Sequence, residues 1–189
     1  VSKSREQLIC YLQGIDIAGC NVLDIGVQDN PASNYTHGRP KQYDTVDIDT
    51  QWNPTYELDL NDDWKALDIG KYDVVFCLET LEHIWNPIQA IQNIAGVLEG
   101  SGTVYLSTPF INPIHDKWDY LRYTVQWFTR VLPRHGFKEV KVQARVATWG
   151  KQELDVFYKA EGMRMSKVTY EMGYGGHYYD VGYFVTAKR

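Results

Sequence analysis

The stretch "DVVFCL", residues 73–78, carries five apolar residues in succession, the first two β-branched. A strand with one wet face alternates apolar and polar residues, whereas an unbroken run belongs to a strand covered on both sides. Covering both sides of a strand calls for a mostly parallel sheet with helices on its two faces. Other segments fit that frame. "NVLDI" (21–25) reads as a short buried strand, "YDTVDI" (43–48) as a second and "TYELDL" (55–60) as a weaker third, with "TVYLS" (103–107) following 73–78. "REQLICYLQG" (5–14) places apolar groups at 8, 9, 11 and 12, an amphipathic helix that stops at Gly14.

A further helix is expected from Asn86 and Pro87, with Asn86 accepting from the first turn and Pro87 at the first helical position. Ile88, Ile91, Ala95 and Leu98 form its stripe, and Gly100 or Gly102 its stop. Thr124 caps another helix through about His135, with Gly136 behind it. "KEVKVQARV" (138–146) alternates as an edge strand does, and "YYDVGYFVTAKR" closes the chain as one more strand. No crossover helix separates these last two, which predicts an antiparallel strand added to a parallel sheet. Residues 28–42, rich in Asn, Pro, Gly and Lys, read as irregular.

The 189 residues suit one domain, 1–189, with a real core. Lys and Arg number 19 against 24 Asp and Glu, a formal net charge of −5, which argues against a partner bound through its phosphates. No nucleic acid and no membrane are expected: nothing approaches 18 successive apolar residues, and the N-terminus lacks a signal-peptide core. Cys10, Cys20 and Cys77 are odd in number and lack metal-ligand spacing, so reduced, buried thiols in a cytoplasmic protein are expected and no metal.

In an open sheet of this kind the ligand lies outside the carboxyl ends of the strands. The first strand ends in Asp24-Ile25-Gly26, where Gly26 lets a ligand approach the backbone. The second ends in Asp47 or Asp49, whose carboxylate can accept from both hydroxyls of a ribose. Gly26 and Asp47 are 21 residues apart, near the ~20 of dinucleotide and nucleoside folds. Yet the loop "GVQDNP" lacks the G-x-G-x-x-G that brings a pyrophosphate onto a helix N-terminus. A cofactor with ribose and adenine but no pyrophosphate asks less of the loop, and S-adenosylmethionine (SAM) meets that description.

Several stretches then carry a resemblance. "VLDIG", "YDTVDID", "YELDLND" and above all "YDVVFCLETLEHIWNPIQAIQNIAGVLEGSGTVYLSTPF" are similar to the motifs of class I SAM-dependent methyltransferases, over nearly all of the chain up to about residue 142. "PFINPIHDKWDYLRYT…HGF" resembles a subgroup with P-x-H…DYxRfT…GF, several members of which modify sugars and cell-surface glycans. The resemblance implies a Rossmann-like fold, a seven-stranded sheet of order 3-2-1-4-5-7-6 with strand seven antiparallel. It implies SAM contacts from Asp24, Ile25, Gly26 and Gln28, from Asp47 and Ile48, from Asp59 and Leu60 beside the adenine, and from Leu78, Glu79 and Thr80 beside the methionine. The departure is Gln28: the family's D-x-G-x-G is here D-I-G-V-Q, and a side chain at 28 either crowds the methionine tail or hydrogen-bonds its carboxylate.

Methyl transfer from a sulfonium needs alignment above all, and a base only where the acceptor is a hydroxyl or ammonium group. His83 and His115 are the candidate bases; Glu82-His83 is also a family hallmark that serves equally well to bond loop backbone. His115, Asp116, Tyr120, Arg122 and Tyr123 are the candidate acceptor-binding residues, with Arg122 able to hold a carboxylate or phosphate or to pin the loop. Residues 147–178, rich in aromatic residues and Met, read as a lid over the acceptor or as a homodimer contact. The reading is a methyltransferase acting on a small-molecule, sugar or glycan acceptor. Its rivals are a non-catalytic SAM-fold binding module and, further off, an NAD-dependent Rossmann oxidoreductase.

Overall fold

Successive residues of a strand point to opposite faces, and in this chain each face of the central strands finds its own apolar cover. The computed structural model describes residues 3–148 and 178–189. In chain order the elements are α1 (Lys3–Leu12), β1 (Asn21–Ile25), β2 (Gln42–Asp47), β3 (Tyr56–Glu57), β4 (Tyr72–Leu78), α2 (Pro87–Val97), β5 (Leu98–Pro109), α3 (Val125–Arg134), β6 (Lys138–Thr148) and β7 (Tyr178–Lys188). Leu8 and Leu12 of α1 cover Val22, Val74, Phe76 and Phe184, and the Tyr11 ring stacks on Phe184 with centroids 4.3 Å apart. On the other face Leu23, Ile25, Val75 and Cys77 meet Ala90, Ile91 and Ile94 of α2 and Phe128 and Leu132 of α3. All four of those strand residues are at most 2% exposed. Each buried aliphatic side chain of this size stabilises the fold by roughly 1.5–3 kcal/mol.

The seven strands form one sheet in the order β3-β2-β1-β4-β5-β7-β6. β1 pairs in parallel with β2 and β4, and β4 with β5; β7 runs antiparallel to both β5 and β6. The expected order and the antiparallel seventh strand are both present. The carboxyl ends of β1, β2 and β4 therefore open on one edge.

Between β1 and β4 the described residues hold only short 3₁₀ turns, Ala32–Asn34 and Thr50–Trp52, which agrees with the irregular reading of 28–42. Pro31, Pro40, Pro54 and Gly38 punctuate that stretch too often for a full helix. Three local expectations need correction. Asn86 makes no side-chain cap; its backbone N–H instead donates to Asn61 Oδ1 at 3.0 Å. Thr124 does cap α3, accepting from the Trp127 N–H at 3.2 Å. Leu98 leaves the helix stripe: its backbone is extended (φ −77°, ψ 139°), and it starts β5 opposite Tyr72. The thiols are not uniformly buried. Cys77 is, but Cys10 is exposed and Cys20 intermediate. Among the described residues no helix is long and apolar enough to cross a membrane. Most of the 147–178 segment, from 149 to 177, lies outside the described residues.

Candidate active site

The edge where β1, β2 and β4 end is cut by a cleft of about 360 Å³. β1 hands over to Gly26, whose φ of +76° lies in the left-handed region, and its N–H donates to Val46 O at 2.8 Å. A Cβ on Gly26 would stand 2.3 Å from Thr80 Oγ1, so only glycine fits there. Gln28 is also left-handed, with φ +50°. The turn thus keeps a glycine-like shape with a side chain in the glycine's place. The Gln28 N–H donates to Asp47 Oδ2 at 3.1 Å, and the Asp49 N–H to Asp47 Oδ1 at 3.0 Å. β2 ends at Asp47, which is 8% exposed and lines the cleft. Asp49 faces solvent and caps the Thr50–Trp52 turn, accepting from the Gln51 N–H at 3.0 Å.

Ile25, Gly26, Gln28, Asp47 and Ile48 line the cleft, as do Asp59, Leu60, Glu79 and Thr80. Asp59 Oδ1 accepts from both the backbone and the side-chain nitrogen of Asn61, each at 2.8 Å. Glu79 has φ +50°, and its Oε1 receives Arg145 Nη1 at 2.5 Å. Asp24 and Leu78 do not line the cleft: with Arg5 they line an adjoining recess of about 200 Å³ that shares Ile25, Gly26, Gln28 and Glu79 with it. Asp24 Oδ2 accepts from the Ala32 N–H at 2.7 Å and the Tyr43 hydroxyl at 2.5 Å. Burial pushes its carboxyl up to about 6, against the pull of those two bonds. Asp24 therefore shapes the loop and does not line the main cleft.

The turn after β4 and the loop after β5 are bound to each other. Glu82 O accepts from the N–H groups of Tyr120 (2.8 Å) and Leu121 (3.2 Å), and Leu81 O accepts from the Tyr123 hydroxyl at 2.8 Å. His83 Nδ1 lies 2.8 Å from Trp118 O. A carbonyl can only accept, so Nδ1 is the donor, and in the neutral ring Nε2 is the bare nitrogen. These ties bring the two candidate bases together, their ring centroids 5.2 Å apart. His83, Asp116, Trp118 and Tyr120 all line the cleft. His115 Nδ1 sits 3.0 Å from Asp119 Oδ2.

Two of the residues expected at the acceptor have other duties. Tyr123 is 2% exposed, packs against Trp127 and Phe128, and spends its hydroxyl on Leu81, so it is a core residue. Arg122 bonds both oxygens of Asp119 and reaches the carbonyl of Asn112, which pins the loop. That arginine holds the Asp119 carboxyl down at about 2.

Several lining or supporting residues escaped the sequence reading. Trp85 and Trp118, 62% and 54% exposed, flank the cleft opening, and exposed tryptophans in successive loops were the available signal. Arg145 is 2% exposed, and its alternation in β6 showed a strand position without showing that Glu79 lay across the sheet. Glu82, noted in the sequence with His83 as a family hallmark, is fully buried, and neither carboxylate oxygen has a hydrogen-bond partner among the described residues. Burial, and after it the nearby Glu79, pushes its carboxyl up to about 8.

A family model described as a methyltransferase domain matches residues 5–141. The "Ubiquinone biosynthesis O-methyltransferase" of Xanthomonas oryzae pv. oryzae is 26% identical over 150 residues, covering 71% of this chain and 62% of that protein. The chain thus spans less than two thirds of this curated relative. A structure from Bacillus halodurans C-125 superposes with a TM-score of 0.65 at 13% identity, over 96% of this chain and 97% of the other. A SAM-dependent methyltransferase from Archaeoglobus fulgidus does so at 0.61 and 15% identity, over 99% and 92%. At such identities these likenesses concern the fold.

Proposed function

This chain belongs to the methyltransferase domain family, and we propose that it moves a methyl group from SAM to a hydroxyl of a small-molecule acceptor. The observation that carries the reading is the Asp47 carboxylate, held at the end of β2 by two backbone N–H groups with lone pairs left over for a ribose diol. Asp59 and Leu60 flank the adenine end, and Glu79 and Thr80 the sulfonium end. Leu58, Val46 and Ile84 supply the apolar lining that a purine needs.

Three arguments disfavour the rivals. An NAD pyrophosphate needs close-approaching glycines and a helix N-terminus, and β1 runs into a 3₁₀ turn instead. A mere binding module would have no use for two imidazoles beside the sulfonium end of the cleft. The activity that names the Xanthomonas relative, O-methylation in ubiquinone biosynthesis, favours a hydroxyl acceptor. Trp85, Trp118 and Tyr120 offer ring faces to a flat acceptor and would equally suit a sugar. Chemistry then needs the hydroxyl in line with the C–S bond and its proton removed, for which His115 and His83 stand ready.

Calorimetric titration with SAM, then with NAD, tests the cofactor. Saturable SAM binding with no NAD heat is expected; NAD binding in its place would overturn the reading. Tritium transfer from labelled SAM to candidate phenols and sugars then separates the acceptor classes.

A further inference from the structure

Glu82, His83 and His115 each offer a ligand atom, and those three atoms lie within 4.8 Å of one another. Such proximity alone is common. What sets this cluster apart is Glu82, fully buried, with both oxygens unpartnered and one of them 3.8 Å from His83 Nε2. A buried carboxyl without hydrogen bonds is costly, and protonation removes its charge but not its unmet bonds. Neighbouring guanidinium groups do not relieve it: Arg122 is bound to Asp119, and Arg145 bonds Glu79.

We propose that Glu82, His83 and His115 form a binding site for a divalent first-row transition-metal ion. Two imidazoles and one carboxylate suit such an ion and leave coordination positions open. The histidines are already held in place for it. His83 Nδ1 lies 2.8 Å from Trp118 O, which can only accept, so the ring donates there and turns its Nε2 away, in the way metal-bound histidines are oriented. His115 is anchored beside it, its Nδ1 3.0 Å from Asp119 Oδ2 and 3.2 Å from Asn112 Nδ2. Ligand atoms about 2.0–2.2 Å from a metal lie at most about 4.4 Å from one another. The site needs only a small inward rotation, and the His115 side chain, 42% exposed, is free to make it.

Of the three, His83 lines the cleft, beside Asp116 and Trp118, so the site adjoins it. There an ion would take an acceptor hydroxyl. This use of the ion, unlike the site itself, rests on the methyl-transfer reading. A metal-bound hydroxyl loses its proton to water more readily. Its oxygen then forms the O–C bond as the C–S bond of SAM breaks, giving a methyl ether and S-adenosylhomocysteine.

Cobalt(II) chloride, titrated into chelator-treated protein, is the probe, because its visible bands report coordination. Wild type should show saturable bands at one equivalent. Glu82→Gln and His115→Ala should each weaken cobalt affinity by about 100-fold, while His37→Ala, an exposed histidine elsewhere, should match wild type. No bands with wild type overturns the proposal whatever the variants do. So does an affinity that both site variants leave unchanged, which marks adventitious surface binding. SAM calorimetry on the same metal-free samples checks that the variants are folded. Loss of SAM binding with intact cobalt bands would sink methyl transfer and leave the metal site standing; SAM binding without bands would do the reverse.

Discussion

The backbone N–H of Gln28 donates to the carboxylate of Asp47 across 3.1 Å, tying the turn after β1 to the end of β2. That bond belongs to the backbone, so it survives any side chain at 28. Gln28 holds φ +50°, which costs a non-glycine residue about 1–2 kcal/mol. Gln28→Gly removes this strain but gives the unfolded chain more freedom, worth about 0.4–1 kcal/mol. Chemical denaturation should show stability changed by no more than about 1 kcal/mol. SAM affinity should be equal or tighter by calorimetry, since the amide no longer stands beside the cofactor loop. A marked loss would mean that the Gln28 amide itself binds SAM.

Asp47→Ala removes the acceptor of the ribose hydroxyls and of the Gln28 N–H together. Hydrogen bonds to a charged group are worth roughly 1.5–3 kcal/mol each. SAM affinity should fall by about one order of magnitude or more. Asp49→Ala strips only an exposed 3₁₀ cap and should leave affinity close to wild type. The reverse pattern would move the ribose contact two residues along the chain.

Gly26→Ala meets Thr80 head on, with Cβ 2.3 Å from Oγ1 and 2.7 Å from Cγ2. The left-handed φ adds its own cost, so a loss of about 1–3 kcal/mol is expected. Thr80→Ala removes both of those atoms. The double variant should therefore be less damaged than the two single losses together imply, a coupling that a double-mutant cycle in urea measures. Simple additivity would show that the backbone, not the contact, sets the cost.

What could be read from the sequence follows the range of the interactions. Apolar runs such as 73–78 and 21–25 announce burial on both faces, so the sheet was legible, while its strand order came from the family resemblance. Gly26, Asp47 and Glu79 mark strand ends and were legible too. The pairings across the chain were not. Arg145 meets Glu79 from 66 positions away, and Tyr123 meets Leu81 from 42. Tyr123 looked like a recognition residue because it matches the subgroup motif; only the fold shows that it points inward. Asp119 opens the D-Y-x-R-f-T motif, but its role was not legible there, because only the fold closes Arg122 and His115 around it.

Asp24 makes stability fall as pH rises through weak acid. Its carboxyl is held at about 6 in the fold and lies near 3.8 in a free chain. Between those values the folded state keeps a proton that the unfolded state has lost. The resulting stabilisation is complete below about 4 and gone above about 6. A shift of this size corresponds to about 3 kcal/mol. Asp24→Asn keeps an oxygen for Ala32 and Tyr43 but cannot titrate. The difference in stability between variant and wild type, followed by urea denaturation from pH 4 to 7, should move in the variant's favour as pH rises. A difference that stays constant would mean that Asp24 titrates normally.

His115 is where cofactor binding and acceptor chemistry should come apart. It stands in the loop after β5, beside His83, on a segment fastened to the turn after β4 by the Glu82 and Leu81 carbonyls. The residues assigned to SAM lie on the turns after β1, β2, β3 and β4, so truncating His115 leaves them in place. Its ring serves the acceptor's proton, directly or through a bound ion, a contribution of about 100-fold or more to the rate. His115→Ala should lower kcat for methyl transfer by about that factor while SAM affinity changes less than about twofold. The backbone N–H of His115 still reaches Asp119 Oδ2, so the loop keeps that anchor. A variant that loses SAM binding and turnover together would put His115 against the cofactor. Unchanged turnover would return it to the status of a loop histidine and leave His83 as the base.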